Sequence, residues 1–339
     1  MLKLIRQKLY KIKKQYWPKT IILCYHRIGD YLSDPYDISV SNKNFISQIQ
    51  WLNKYFNLIS LDDLYECLQE QKHPYKQSVL LTFDDGYAST SNTIQLLEKW
   101  SIPATFFICT PDNDNRHFYW DILSHLLIEQ KAIPDDDMDF IIHLCKIAHI
   151  NLIPEKKLDD DRFNIGLKWK RHDNNYITKR CEVLELLTNN AEYENPNSPN
   201  SILNLLNQKS FPIESDRSIL SGINKLDIAH CTIGAHTMNH YSLSSLHRNE
   251  QKNEILNNKK QLENELGVQI KYFAYPFGSK RHYNPDSINI VQDNFSLALS
   301  NRSGLINKES NSYELPRFLI RDWDLKEFKN KVNIFFQHV

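Results

Sequence analysis

The sequence predicts an α/β protein, a parallel sheet curled toward a barrel with its chemistry at the C-terminal ends of the strands. Three observations carry this. Short apolar runs recur near 20–26, 78–83, 104–109, 231–235, 271–275, 296–300 and 316–320. Helical spacing of apolar residues separates them, at 42–56, 61–70, 90–100, 248–266 and 324–336, and that alternation is what parallel pairing with helical crossovers produces. Two of the runs end in ionisable clusters, Thr82-Phe83-Asp84-Asp85-Gly86 and His236-Thr237-Met238-Asn239-His240, at the rim where barrels place their sites.

Taken in order, residues 1–19 come first. Leu2, Ile5, Leu9, Ile12 and Tyr16 recur at spacings of three and four, while Lys3, Arg6, Lys8, Lys11, Lys13, Lys14 and Lys19 supply cations with no acid before Asp30. A helix of that pattern suits the surface of an anionic membrane, over residues 1–17, or packing on the barrel with its basic face in water. The barrel proper is expected over 20–111 and 231–339. Within it Phe45, Ile49, Leu52 and Phe56 mark the apolar stripe of the first barrel helix, and Ser78-Val79-Leu80-Leu81 reads as a buried strand. Residues 112–230 break the rhythm. Segments 118–129, 138–148 and 177–187 look amphipathic, whereas Asp159-Asp160-Asp161 and Asn195-Pro196-Asn197-Ser198-Pro199-Asn200 look like exposed turns. This stretch is expected to be a mainly helical insertion over one side of the rim, as scaffold or as a lid. Its Tyr119-Trp120-Asp121 group could be core or an aromatic platform for a sugar face.

Composition narrows the function. The chain has 339 residues, enough for a full core, and 41 Lys+Arg balance 41 Asp+Glu, so no global charge selects nucleic acid as a partner. No stretch reaches the roughly eighteen apolar residues a spanning helix requires. The six cysteines lie far apart with no CxxC pair, and the basic start lacks an uninterrupted apolar core of the secretory kind. The expected compartment is the reducing cytoplasm, with the inner face of the membrane as a peripheral site.

The two ionisable clusters together offer what a mononuclear metallohydrolase needs: one carboxylate and two imidazoles to hold a divalent ion, and a spare carboxylate beside them. Neighbouring Asp residues at the end of a buried strand repel unless a cation or proton lies between them. Histidines four apart can share one ion if they stand on one helical turn, and three protein ligands leave a coordination position open for chemistry. Asp-Asp-Gly by itself also suits a plain turn, and an isolated HxxxH also suits a surface pair; their conjunction is what points to the ion.

A third element, Tyr272-Phe273-Ala274-Tyr275-Pro276-Phe277-Gly278, ends another apolar run in a Pro-x-Gly turn. With TFDDG and HTxxH in that order, the chain resembles the NodB-homology polysaccharide deacetylases, carbohydrate esterase family 4, over most of its length outside roughly 112–225. Ile22-Leu23-Cys24-Tyr25-His26-Arg27 resembles the first-strand YHR element of the exopolysaccharide and poly-N-acetylglucosamine branch. Ile102-Pro103-Ala104-Thr105-Phe106-Phe107 resembles the family's next strand and Leu315-Pro316-Arg317 its late Pro-Arg element.

The resemblance implies a distorted, incomplete (β/α) barrel of about seven strands. It implies a divalent ion, zinc first with nickel and cobalt also suited, held by Asp85, His236 and His240, with Asp84 as general base and the Phe277 N–H as an oxyanion donor. Two departures stand out. Where many members have an Arg pairing with the base, this chain has Ala274, so another residue must orient Asp84, and Arg317 is the candidate. No late Leu-x-His motif is visible; in the poly-N-acetylglucosamine branch that role falls to a His on the first strand, so the resemblance implies His26 as the general acid, with His282 next. The implied activity is metal-dependent removal of acetyl from an N-acetylated sugar of a bacterial envelope glycan, exopolysaccharide or lipid-linked precursor. An O-acetyl esterase and a non-catalytic glycan-binding relic are the alternatives.

Overall fold

Among the described residues, strands follow one another as β1 (Thr20–Tyr25), β2 (Arg27–Ile28), β3 (Ser39–Val40), β4 (Asn57–Leu58), β5 (Ser78–Phe83), β6 (Ala104–Ile108), β7 (Cys231–Ala235), β8 (Tyr272–Ala274), β9 (Leu297–Leu299) and β10 (Phe318–Leu319) in a computed structural model of the chain. It describes residues 19–70, 77–111, 117–173, 175–213, 215–217, 219–220, 223 and 228–337. The basic helix expected over residues 1–17 lies outside these.

The main sheet runs β10-β1-β5-β6-β7-β8-β9, with β4 paired to the start of β5, and every pairing in it is parallel. A parallel bridge between Leu299 and Leu315 ties the β9 edge to the segment entering β10, so the curled sheet is joined across its gap by a few bonds rather than by a full ladder. This is the distorted, incomplete (β/α) barrel that the resemblance implied.

Every residue of β1 and of β5 is buried, as expected for parallel strands covered on both faces. Alternation along the strands divides them between two clusters. Ile21, Leu23 and Tyr25 join Val79, Leu81 and Phe83 in the large core, whereas Ile22 and Leu80 meet Phe107, Tyr272 and Leu297 in a smaller one. The covering helices are α1 (Asn42–Tyr55), α2 (Leu61–Gln69) and α3 (Thr90–Lys99), placed as the spacing predicts.

Between β6 and β7 come α4 (Tyr119–Leu127), α5 (Asp135–Ile147), α6 (Asp160–Gly166), α7 (Lys179–Tyr193) and α8 (Ile202–Asn207), of which α4, α5, α7 and α8 pack on one another around Leu126, Ile141, Leu184 and Leu206. The Asp159-Asp160-Asp161 run is not the turn the sequence suggested. Asp159 caps α6, its side chain accepting from the Arg162 N–H at 2.8 Å, and the next two acids sit in the first turn, where the helix dipole favours negative charge. Asn195–Asn200 does form turns. The chain closes with α9 (Arg248–Leu266), α10 (Pro285–Asn294) and α11 (Leu325–Phe335). The six cysteines are free thiols. Among the described residues no helix is long and apolar enough to cross a membrane.

Candidate metal centre and its surroundings

Strand register assembles the site. β1 and β5 pair from Thr20 with Ser78 to Tyr25 with Phe83, so His26 and Asp84 leave the sheet side by side. β6 and β7 pair up to Ile108 with Ala235, which delivers His236 to the same rim. Beyond Asp84 the chain turns sharply: Asp85 has φ 74° and Gly86 φ 79°. A Cβ at Gly86 would lie 2.7 Å from Ile108, so this position needs glycine for both conformation and space.

Asp85, His236 and His240 are buried, and one ligand atom from each lies within 4.8 Å of the others. The Nε2 atoms of His236 and His240 stand 3.5 and 3.3 Å from Asp85 Oδ1. His236 Nδ1 is 2.8 Å from the Ala274 carbonyl. A carbonyl can only accept, so that bond fixes the proton on Nδ1 and leaves the Nε2 lone pair facing Asp85, the arrangement typical of a ligating histidine. Among the described residues, Nε2 of His236 is buried without a hydrogen-bond partner. A buried carboxylate, a lone pair and a second imidazole converging on one point fit a divalent ion of the zinc, nickel or cobalt kind. Burial works to raise the Asp85 carboxyl, but the imidazoles of His26, His236 and His240 around it bring it below the usual range, while burial pushes His240 down.

The two histidines do not share a helical turn, contrary to the expectation from their spacing. Residues 236–240 form a loop in which Thr237 and His240 have φ of 68° and 56°, on the opposite side of the backbone map from an α-helix. What holds the loop is α9. Asn258 Oδ1 accepts from the His236 N–H at 2.8 Å, and its Nδ2 donates to Ile108 O and Thr110 Oγ1 at 3.0 and 2.8 Å. One turn earlier, the Glu254 carboxylate accepts from the Asn239 N–H at 2.9 Å and from Asn239 Nδ2 at 2.8 Å. Among the described residues, the Nδ1 of His240 has no hydrogen-bond partner. Aromatic edges from Trp120, Phe277 and Phe118 confine its ring at centroid distances of 4.9, 4.7 and 5.7 Å.

Asp84 faces a different group. Arg317 Nη1 and Nη2 donate to its two carboxylate oxygens, each at 2.7 Å, while Arg317 Nε donates to Ser300 O at 3.0 Å. Burial alone would raise the Asp84 carboxyl; the Arg317 charge and bonds outweigh it and hold the group below the ordinary carboxylate range. Ala274 is buried in β8, and its carbonyl serves His236.

His26 is half-buried beside Asp84, and among the described residues its buried Nδ1 has no hydrogen-bond partner. Burial lowers its pKa, against the pull of Asp85 and Asp84. Phe277 has φ 58°, and among the described residues nothing accepts from its N–H. His26, the two aspartates, His236, His240 and Phe277 all line one cavity of about 270 Å³. His282 lines it too, but with both ring nitrogens engaged, Nδ1 at 2.8 Å from Ser279 Oγ and Nε2 at 2.6 Å from Glu192 Oε1.

The 118–193 segment supplies the far wall through Tyr119, Trp120, Arg171 and Glu192. Trp120 is both core and wall: it is 5% exposed, stacks on Phe118 at 4.4 Å and meets His240 edge-on. Its Nε1 donates to Tyr87 Oη at 2.7 Å, Tyr87 donates to Asp121 at 2.9 Å, and Arg27 Nη1 donates to Asp121 at 2.7 Å. The Arg of the first-strand YHR element therefore anchors α4 and with it the aromatic wall. Sequence reading missed Glu254, Asn258 and Glu192. The first two left one signal, a buried stripe of Gln251, Glu254, Ile255, Asn258 and Leu262 at helical spacing.

Comparison with known proteins matches residues 71–133 and 194–294 to the family described as polysaccharide deacetylase. The Staphylococcus epidermidis poly-β-1,6-N-acetyl-D-glucosamine N-deacetylase is 30% identical over 113 residues, 29% of this chain and 39% of that protein. YxkH of Bacillus subtilis (strain 168) is 29% identical over 166 residues, 45% of this chain and 56% of that one. The chain thus matches about half or less of the length of these relatives. Among solved structures, the Streptococcus pyogenes deacetylase PplD in complex with acetate superposes with a TM-score of 0.53 at 17% identity, covering 94% of this chain and 98% of that one. IcaB from Ammonifex degensii gives 0.50 at 15% identity, covering 94% and 97%. These structural likenesses speak to fold, and they agree with the sheet order above. With three ordered motifs meeting at one rim, and the family match falling on the strands that carry the first two and the Pro-x-Gly turn of the third, the comparisons support the NodB-homology polysaccharide deacetylase family, to which the chain is similar.

Proposed function

We propose that the chain is a metal-dependent de-N-acetylase of an N-acetylated sugar in a bacterial envelope glycan, exopolysaccharide or lipid-linked precursor. The observation that carries this is the division of the adjacent aspartates: Asp85 faces two imidazoles, while Asp84, locked by Arg317, faces the same cavity with no share in that ligand set. A divalent ion held by Asp85, His236 and His240 supplies Lewis acidity, which makes water acidic and polarises a carbonyl.

The protein's own groups do the rest. Asp84, kept ionised by Arg317, accepts a proton from the attacking water as its oxygen bonds to the acetyl carbon. The Phe277 N–H donates to the carbonyl oxygen as that oxygen gains negative charge. His26 hands a proton to the sugar nitrogen as the C–N bond breaks, leaving acetate and a free amine. Trp120 and Tyr119 offer aromatic faces for the sugar ring and exclude water from one side.

The test is acetate release from lipid-linked, nucleotide-linked and polymeric N-acetylhexosamines, before and after chelation and with zinc, nickel or cobalt restored. Release from at least one N-acetylated substrate, lost on chelation and regained with metal, is the expected result; release from O-acetylated sugars alone overturns it. Residues 1–17 are the part through which the enzyme would meet an anionic cytoplasmic membrane face. Equal sedimentation of the full chain and a chain lacking those residues with anionic vesicles at low salt overturns that placement.

A further inference from the structure

We infer that Glu192, near the end of α7, is a positioning residue that holds the Phe277 turn in place through His282. The inference rests on the oxyanion role proposed for the Phe277 N–H.

Phe277 is a bulky residue in the left-handed region, with φ 58°. Such a conformation costs on the order of 1–3 kcal/mol and persists when its surroundings over-determine it. One side of the turn is held by Asn301, whose Nδ2 donates to Phe277 O at 3.0 Å and whose N–H donates to Gly278 O at 2.8 Å. There a Cβ at Gly278 would come within 2.5 Å of Asn301 N, so the two segments are as close as they can be. The other side is held by the His282 imidazole, whose ring centroid lies 4.8 Å from that of Phe277.

That imidazole is in turn fixed from two directions. Ser279, within the same turn, meets Nδ1 at 2.8 Å. Glu192, ninety residues earlier in the chain, meets Nε2 at 2.6 Å, and the adjacent Tyr193 stacks on the ring at 5.3 Å with its Oη 3.1 Å from the same nitrogen. Ser279 moves with the turn and cannot anchor it; Glu192 belongs to a helix packed in a separate apolar cluster and can. His282 is buried and Glu192 largely so, with side-chain exposures of 7% and 14%, so the bond is shielded from water and charge-assisted. Burial alone would raise the Glu192 carboxyl, but the bond and charge of His282 with the charge of Arg171 keep it below its ordinary value. With both its nitrogens committed, His282 acts as a strut between the α4–α8 segment and the donor turn. Loss of the strut frees the turn to leave a conformation that the rest of the site needs, and displacement of a donor by about an ångström is costly in rate.

The experiment compares Glu192→Ala and Glu192→Gln in the full chain loaded with zinc. It reads hydrogen exchange over residues 275–282, and kcat and KM on the best substrate from the acetate-release panel. Glu192→Ala is expected to speed exchange in that segment about tenfold and to lower kcat about tenfold with KM within about twofold. Glu192→Gln, which keeps an acceptor for His282, is expected within about threefold of wild type in both. Unchanged exchange in Glu192→Ala overturns the inference. So does a raised KM with kcat intact, which would place Glu192 on the substrate, or faster exchange spread evenly over β1 and β5, which would mark general destabilisation. If the wild-type chain releases no acetate from any substrate, the proposed activity fails while the exchange measurement still decides the strut.

Discussion

Arg317 grips Asp84 through two parallel bonds of 2.7 Å from a position 233 residues further along the chain, and the two are buried together at the rim of β5. The fork geometry of the guanidinium fixes both the charge and the orientation of the carboxylate. Its neighbour Asp85, one residue on, turns away into the histidine pair because its φ is positive.

That divergence separates two phenotypes. Asp85→Ala or His240→Ala is expected to lose bound metal together with activity. Asp84→Asn should keep metal while kcat falls about a hundredfold or more, the scale of a lost general base. Metal analysis after dialysis, alongside kcat, checks this, and equal metal loss in Asp84→Asn and Asp85→Ala defeats the assignment.

Arg317→Met leaves a buried carboxylate without its cation and should destabilise the fold by about 3–5 kcal/mol at neutral pH. The sign with pH follows from Asp84, whose folded pKa lies below the ordinary 3.8. The pair's stabilisation is complete above the unfolded value and is lost as pH falls from there through the folded pKa. The stability gap between wild type and variant should therefore narrow as pH drops below 3.8, measured by denaturant unfolding at a series of pH values. A gap independent of pH would show that Asp84 does not carry the effect.

His26→Gln should leave metal content unchanged and lower kcat about a hundredfold. A general acid works protonated, so wild-type kcat should fall as pH rises through the His26 pKa in the loaded complex, and that limb should vanish in the variant. Lower thermal stability with wild-type kcat per folded molecule would instead make His26 a packing residue.

Glu254 and Asn258 brace a loop with two left-handed residues through the Asn239 side chain and the backbone N–H groups of Asn239 and His236. Glu254→Ala should weaken zinc binding about 10–100-fold, the usual cost of removing support from a ligand set. Competition with a chelating dye measures this without any substrate. Zinc affinity equal to wild type would make the bonds to Asn239 incidental to the site.

The sequence by itself determined the barrel, because continuous apolar strands alternating with amphipathic helices have few other ways to bury their faces. It also nominated the residues that could hold an ion, since paired aspartates and a histidine pair at strand ends carry their chemistry in their type. What it misjudged was local: spacing of four suggested a helical turn for His236 and His240, and three aspartates suggested a loop where Asp159 starts a helix. The first error comes from a backbone choice made by tertiary contacts, Glu254 and Asn258 reaching in from α9; the second comes from a local cap, the Asp159 side chain accepting from the Arg162 N–H. The partner of Asp84 could only be nominated from sequence, because a contact across 233 residues leaves no periodic trace and is decided when β10 pairs with β1. The link from Glu192 through His282 to Phe277 was likewise invisible, because it exists only where the α4–α8 segment folds back over the rim, and packing of one apolar cluster against another sets that meeting.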